Sequence, residues 1–342
     1  MNGALTLLTA GRRRRTGRWR AVALTLLALV LAGFALTLMS GQSLTPPGQV
    51  LRILAGQGGP DAFAVGHLRL PRAVMSVLAG ACFGLGGVAF QVMLRNPLAS
   101  PDIIGVSAGA SAAAVFGIVF LSLDGPALSA VAIGAGLGVA LLIYGLSFRG
   151  GVAGSRLILV GIGVSAMINS FIAYALARAP AWDLQEAMRW LSGSVNGARL
   201  DQAWPLLGAL ALFGGLLISR SRDLEALRMG DDMAAALGVR VGATRLAVIL
   251  GAVGMIAVAT ATTGPIAFVA FLSGPIAARI VGPNGSLLIP AALVGAVLVL
   301  AGDFAGQFLL PGRYPVGVVT GALGAPFLIY LIIRANRTGG TL

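Results

Sequence analysis

Apolar residues in this chain come in blocks rather than in stripes. Ten such blocks, near 21–40, 73–93, 103–121, 126–148, 157–177, 203–219, 244–262, 266–281, 287–303 and 316–333, are separated by short polar breaks. About twenty apolar residues in a helix span ~30 Å of hydrocarbon, and a helix satisfies its own backbone polar groups there. The ten-residue alternation of a membrane β-barrel is missing. The pattern predicts an all-α polytopic membrane protein with about ten transmembrane helices. Residues 21–334 read as one transmembrane domain, with an Arg-rich tail at 1–20, a short tail at 335–342 and one polar interruption at 220–245.

Charge orients this bundle. Of 342 residues only 10% are charged, yet the formal net charge is +13, and the arginines flank the apolar blocks. With the N-terminus inside, alternation places 17 arginines on the inner side and 7 on the outer. That asymmetry predicts both termini in the cytoplasm. It also explains the basic balance without nucleic acid as a partner. The apolar run after Arg20 is too long for a signal-peptide core and no small-x-small cleavage site follows it, so a retained first helix is expected.

Little in the sequence can carry covalent chemistry. One histidine (His67) and one cysteine (Cys82) exclude a multi-His or Cys-rich metal site, and no cofactor is expected. "GVSAG" (Gly105–Gly109) matches the GxSxG elbow of serine hydrolases, but His67 falls on the opposite side of the membrane, too far to serve as its base. Asp303 is the best candidate for an ionisable group inside the membrane. A lone acid fits an ion-coupled secondary transporter poorly. The chain contains no lysine, so a GxxxxGK[ST] nucleotide loop cannot exist in it. Glycine reaches 50 residues, and small-xxx-small pairs at Gly80/Gly84, Gly105/Gly109, Gly134/Gly138, Gly302/Gly306 and Gly317/Gly321 predict close helix packing.

The interruption at 220–245 contains "MGDDMAAALGVRV" (Met229–Val241). Met229, Met233 and Leu237, spaced i, i+4 and i+8, share one helical face, with Asp231 and Asp232 directed away from it. The acids suit a first turn and Gly238 a C-terminal stop. This reads as a short helix outside the membrane, its apolar face available to a partner.

Five stretches, in order along the chain, resemble the FecCD family, the permease subunits of ABC importers for iron–siderophores, haem and cobalamin. They are "RLPR" (Arg69–Arg72), "RNPLASPDIIGVSAGA" (Arg95–Ala110), "WLSGS" (Trp190–Ser194), "MGDDMAAALGV" (Met229–Val239) and "YPVGVVTGALGAPFLIYL" (Tyr314–Leu331). The resemblance implies a cobalamin-importer-like permease fold in a bacterial inner membrane. It also implies a second permease (the same or a related chain), two cytoplasmic ATPase subunits and an extracytoplasmic substrate-binding protein. The substrate it implies is a ferric siderophore, with cobalamin or haem as the alternative.

The resemblance also assigns residues. Met229, Gly230, Asp231, Asp232, Met233, Ala234, Leu237 and Gly238 fall in the family's ATPase-coupling segment. Arg69 and Arg72 match its outward arginines for the binding protein. A third such cation falls on Gln307, and the family's acid before the last motif falls on Arg313, so Arg313 is a candidate substitute. Gly151, Val152, Ala153, Gly154 and Ser155 correspond to the cytoplasmic gate. Asn169, Ser170 and Thr320 are expected along the translocation path.

Overall fold

Every regular element among the described residues of the computed structural model, 2–41, 43–100, 105–147 and 154–337, is helical. The chain opens with a 38-residue helix, α1 (Asn2–Met39), in which the arginine-rich stretch forms the turns preceding the apolar ones. A short helix, α2 (Pro47–Leu54), and a π-helical turn at Ala64–Arg69 lead into α3 (Leu70–Leu94). Then follow α4 (Val106–Leu121), α5 (Gly125–Ser147), α6 (Gly154–Arg178) and α7 (Ala181–Leu191). α8 (Ala203–Ala209) and α9 (Gly215–Ser219) are joined by a π-helical turn into one apolar rod. Two short helices, α10 (Ser221–Leu227) and α11 (Asp231–Ala236), precede α12 (Val241–Thr263), α13 (Val269–Val281), α14 (Leu288–Phe304) and α15 (Val316–Arg337).

Seven of the described helical rods are long and apolar enough to cross a membrane, and three shorter apolar helices lie at Val106–Leu121, Val269–Val281 and Val316–Leu331. Together they correspond to the ten apolar blocks. The block at 266–281 is less helical than expected. Phe268 adopts a left-handed backbone (φ 64°), and α13 begins only after it. Preceding it, Gly264 (φ 71°) lies against the Trp190 carbonyl where a side chain has no room.

α3 forms the axis of the bundle and is buried on nearly every side, with Met75, Phe83 and Phe90 among the largest fully buried side chains. Its glycines allow this. Cβ atoms on Gly80 and Gly84 would strike the Gly295 and Ala291 carbonyls of α14, one on Gly87 the Ala270 carbonyl of α13, and one on Gly86 would crowd Ile256 of α12. Lipid tails are as apolar as leucine, so backbone proximity and dispersion hold such helices together. One expected pair departs from this rule. Gly134 and Gly138 have open space around them, and α5 packs inward through Gly136, between Ala132 and Ala140. Both are small-residue rows on one helix, and spacing alone does not say which row turns inward.

Candidate functional site

The segment after α9 folds into a compact elbow. Gly230 (φ 111°) supplies a backbone that a side chain would strain, and α11 starts immediately after it. α11 stops by a Schellman arrangement: the Gly238 amide donates to the Ala235 carbonyl and the Val239 amide to that of Ala234, with Gly238 at φ 84°. Ala234 is fully buried against Ala226 and Leu227 of α10, which fixes the helix to the protein. Met229, Met233 and Leu237 are 60%, 53% and 60% exposed, apolar side chains that the described residues leave uncovered.

Asp231 does more than the first-turn role expected of it. Its carboxylate accepts from Arg245 of α12 at 2.8 and 3.0 Å and lies 3.5 Å from Arg95, the residue that caps α3. Asp232 is the more exposed of the two and pairs with no cation among the described residues. The elbow is therefore tied by one carboxylate to two long helices. Arg95 opens the "RNPLASPDIIGVSAGA" stretch and Arg245 follows the elbow, but nothing in the linear pattern pairs either of them with Asp231.

The other end of α3 carries the remaining arginines. Arg72, in its first turn, forms a two-pronged pair with Asp303 of α14, Nε to Oδ2 and Nη2 to Oδ1 both at 2.6 Å, with side chains 14% and 5% exposed. The isolated acid of the sequence thus has an internal cation. Arg69 donates to the Leu38 and Met39 carbonyls at the end of α1 and to Thr45 Oγ1, which in turn donates to Asp61. Both arginines expected to face outward are engaged within the chain. Arg313 is exposed and has no carboxylate partner among the described residues.

Asn169 and Ser170 lie exposed on α6, whereas Thr320 is buried against Gly302 of α14 and returns its hydroxyl to the Val316 carbonyl. Thr320 thus does not share the exposure of Asn169 and Ser170 within the single chain. Gly151, Val152 and Ala153 lie outside the described residues, and Gly154 and Ser155 open α6.

A feature not anticipated from the sequence sits at the Arg72 end. The Gly317 amide donates to the Gly193 carbonyl and the Ser194 amide to that of Thr263, binding the ends of α7, α12 and α15 at one crossing. Added Cβ atoms on Gly193, Gly264 or Gly317 would each meet a carbonyl of this crossing. That explains the glycines of "WLSGS" and "YPVG". Beside it a cleft of about 600 Å3 is lined by Trp182, Asp183, Glu186 and Arg189 of α7 and by Thr262 and Thr263. Pro180 followed by the amphipathic run Ala181–Leu191 was the available sequence signal.

Comparison with known proteins gives this geometry a context. A family model described as the FecCD transport family matches residues 28–334. The ferric enterobactin transport system permease protein FepG of Escherichia coli is 40% identical over 315 residues, covering 91% of this chain and 94% of that one. The achromobactin transport system permease protein CbrC of Dickeya dadantii is 38% identical, covering 91% of this chain and 90% of that one. Among solved structures, an inward-facing transporter assigned to the metal-chelate type of ABC transporters superimposes with TM-score 0.80 at 25% identity, covering 92% of this chain and 99% of that chain.

Proposed function

The chain belongs to the FecCD transport family, and from that premise we propose that it is the membrane-spanning permease of an ATP-driven importer of ferric siderophores. It is a multi-pass membrane transport component rather than an enzyme. The observation that carries the substrate assignment is likeness over nine-tenths of the chain to permeases named for enterobactin and achromobactin. A relative from Bacillus subtilis named for iron(3+)-hydroxamate import, 35% identical over 92% of this chain, points the same way. Cobalamin and haem become secondary readings on this ground.

In this reading the inner membrane of a bacterium holds the bundle with both termini in the cytoplasm, paired with a second permease. Two separate ATPase chains supply the hydrolysis for which this lysine-free chain has no P-loop. Met229, Met233 and Leu237 seat in an ATPase groove, the helix-in-groove mode of recognition. Their burial against the partner, with Asp231 anchoring the elbow to α3 and α12, passes the ATPase's motion into the bundle. Small residues at Gly151–Ser155 form the cytoplasmic gate, and Asn169 and Ser170 face the path. A substrate-binding protein docks at the opposite end. There Arg313 is free to meet its carboxylates, while Arg69 and Arg72 can do so only by sharing or exchanging their internal partners.

The test follows from exposure. Leu237→Asp places a charge among these exposed apolar side chains without touching the buried Ala234 contact. ATPase co-purification and siderophore-stimulated ATP hydrolysis should each fall by an order of magnitude or more, since charging a central apolar contact costs a few kcal/mol. Unchanged coupling removes this assignment. Uptake of labelled ferric siderophore that persists without an ATPase, and collapses with the ion gradient, overturns the importer reading in favour of a secondary transporter. Arg313→Glu is the clean probe of docking because it breaks no ion pair among the described residues. Binding-protein association should weaken, more at low than at high salt.

A further inference from the structure

At the α11 end of the bundle a second cleft, about 690 Å3, opens between α3, α13 and α15. Its walls are mainly apolar, with Val92, Leu287, Phe327 and Leu331 among them, while Arg95, Arg228 and Arg279 line it as well. The three cations differ in how far they are neutralised. Arg228 pairs with Glu225 at 3.0 Å and Arg95 with Asp231 at 3.5 Å, both in exposed settings. Arg279, in the last turn of α13, pairs with no carboxylate among the described residues, and its guanidinium carbon lies 5.9 Å from the centre of the Tyr330 ring. On the inner side Gln91 donates its amide to the Phe271 carbonyl, so that this donor is already engaged within the protein.

The height of this cleft in the membrane can be read from α1. Residues 21–39 of that helix are 19 uninterrupted uncharged residues. At 1.5 Å each they run about 28 Å, close to one hydrocarbon thickness. Trp19 and Arg20 therefore mark the boundary with the headgroups. Trp19 is fixed there: its indole Nε1 donates to the Ser286 carbonyl at 2.8 Å. Ser286 lies in the loop after α13, immediately before Leu287 of the cleft. The cleft mouth and the arginine-bearing turns of α1 thus share one level. Arg13, Arg14, Arg15, Arg18 and Arg20 are all exposed and pair with no carboxylate among the described residues. The first acidic residue in the whole chain is Asp61. At 100° per residue these arginines point around α1 rather than along one face. A partner protein would need a stripe, whereas a headgroup layer surrounds a helix on all sides.

We propose that this end of the bundle is a binding site for an anionic phospholipid, with an acyl chain in the cleft and the phosphate on Arg279 and Arg228. The α1 arginines enrich the same lipid class in the adjoining leaflet. An apolar slot with cations at its mouth matches an amphiphile better than a small soluble anion, which would leave the slot empty. This inference rests on membrane insertion alone and is independent of which substrate is carried.

The experiment uses the full transporter, purified in mild detergent and reconstituted in nanodiscs of phosphatidylglycerol mixed with phosphatidylcholine. Native mass spectrometry reads the lipid that stays bound. The wild type should retain phosphatidylglycerol preferentially, and Arg279→Gln should lower that retention about fivefold, the worth of one membrane-apposed cation. Arg13→Gln/Arg14→Gln/Arg15→Gln should lower the enrichment of phosphatidylglycerol around the protein while leaving the tightly held lipid in place. Equal retention in wild type and Arg279→Gln overturns the site. So does displacement of the lipid by millimolar inorganic phosphate, which would identify a soluble-anion site. Loss of ferric-siderophore uptake in Arg279→Gln with lipid retention intact would place the cleft on the transport path instead.

Discussion

α3 ends in an arginine–aspartate pair on both sides of the membrane, and the two pairs are opposites. At one end Arg72 grips Asp303 with two short bonds between almost fully buried groups. At the other, Arg95 reaches Asp231 at 3.5 Å between side chains that are 46% and 41% exposed. Burial makes the first pair an obligation, because either partner alone would be an uncompensated charge in a low-dielectric setting. Exposure makes the second an adjustable tie, shared with Arg245 and weakened by water. The same helix is locked to the scaffold at one end and tethered at the other to the elbow that exposes Met229, Met233 and Leu237. That division suits the coupling role proposed for the elbow.

The largest effect should come from breaking the buried pair. Asp303→Ala leaves Arg72 without a counter-charge and should cost about 3–5 kcal/mol, seen as poor recovery of folded protein and a lower unfolding midpoint in detergent. Replacing both residues, Arg72→Met with Asp303→Leu, should restore most of that loss, since an apolar pair of similar volume carries no desolvation penalty. A double variant as unstable as the single one would mean that the pair's geometry, rather than its charge balance, holds α3 to α14.

Next in size is the middle of the same helix. Gly84→Val puts branched carbons where the Ala291 carbonyl already sits, and α14 must move away. Overpacking of this kind costs about 1–3 kcal/mol, while Gly134→Val on the open row of α5 should leave the unfolding midpoint of the isolated chain nearly unchanged. This pair of glycines also marks the limit of what could be read from the sequence. The apolar blocks predicted ten helical units, because hydrophobic length is a one-dimensional property. Which row of a glycine-rich helix turns inward is not, so Gly80/Gly84 met expectation and Gly134/Gly138 did not. Partners of charged groups were equally hidden. Asp303 stood out as an acid inside an apolar block, but its cation lies 231 positions away in sequence. Asp231 looked like an ordinary first-turn acid because Arg95 and Arg245 reach it only through the fold. The exposure of Met229, Met233 and Leu237 was legible, but not the shared helical face: α11 holds only Met233, while Met229 precedes the Gly230 break and Leu237 caps the helix end.

The smallest effect on stability, and the sharpest test of the comparison, is expected at Asp231. Asp231→Asn removes an exposed pair worth at most about 1 kcal/mol, so the unfolding midpoint should hardly move. Ala234 and the Schellman stop keep the elbow folded, so the ATPase should still co-purify. What should change is the ratio of substrate moved to ATP hydrolysed, because α11 would then shift without drawing Arg245 and Arg95 with it. The exchange Asp231→Arg with Arg245→Asp should recover that ratio at least in part, which a merely structural role would not produce. If Asp231→Asn transports with unaltered coupling, the exposed pair is incidental, and motion must pass from the elbow to the bundle through the apolar contacts of Ala226, Leu227 and Ala234.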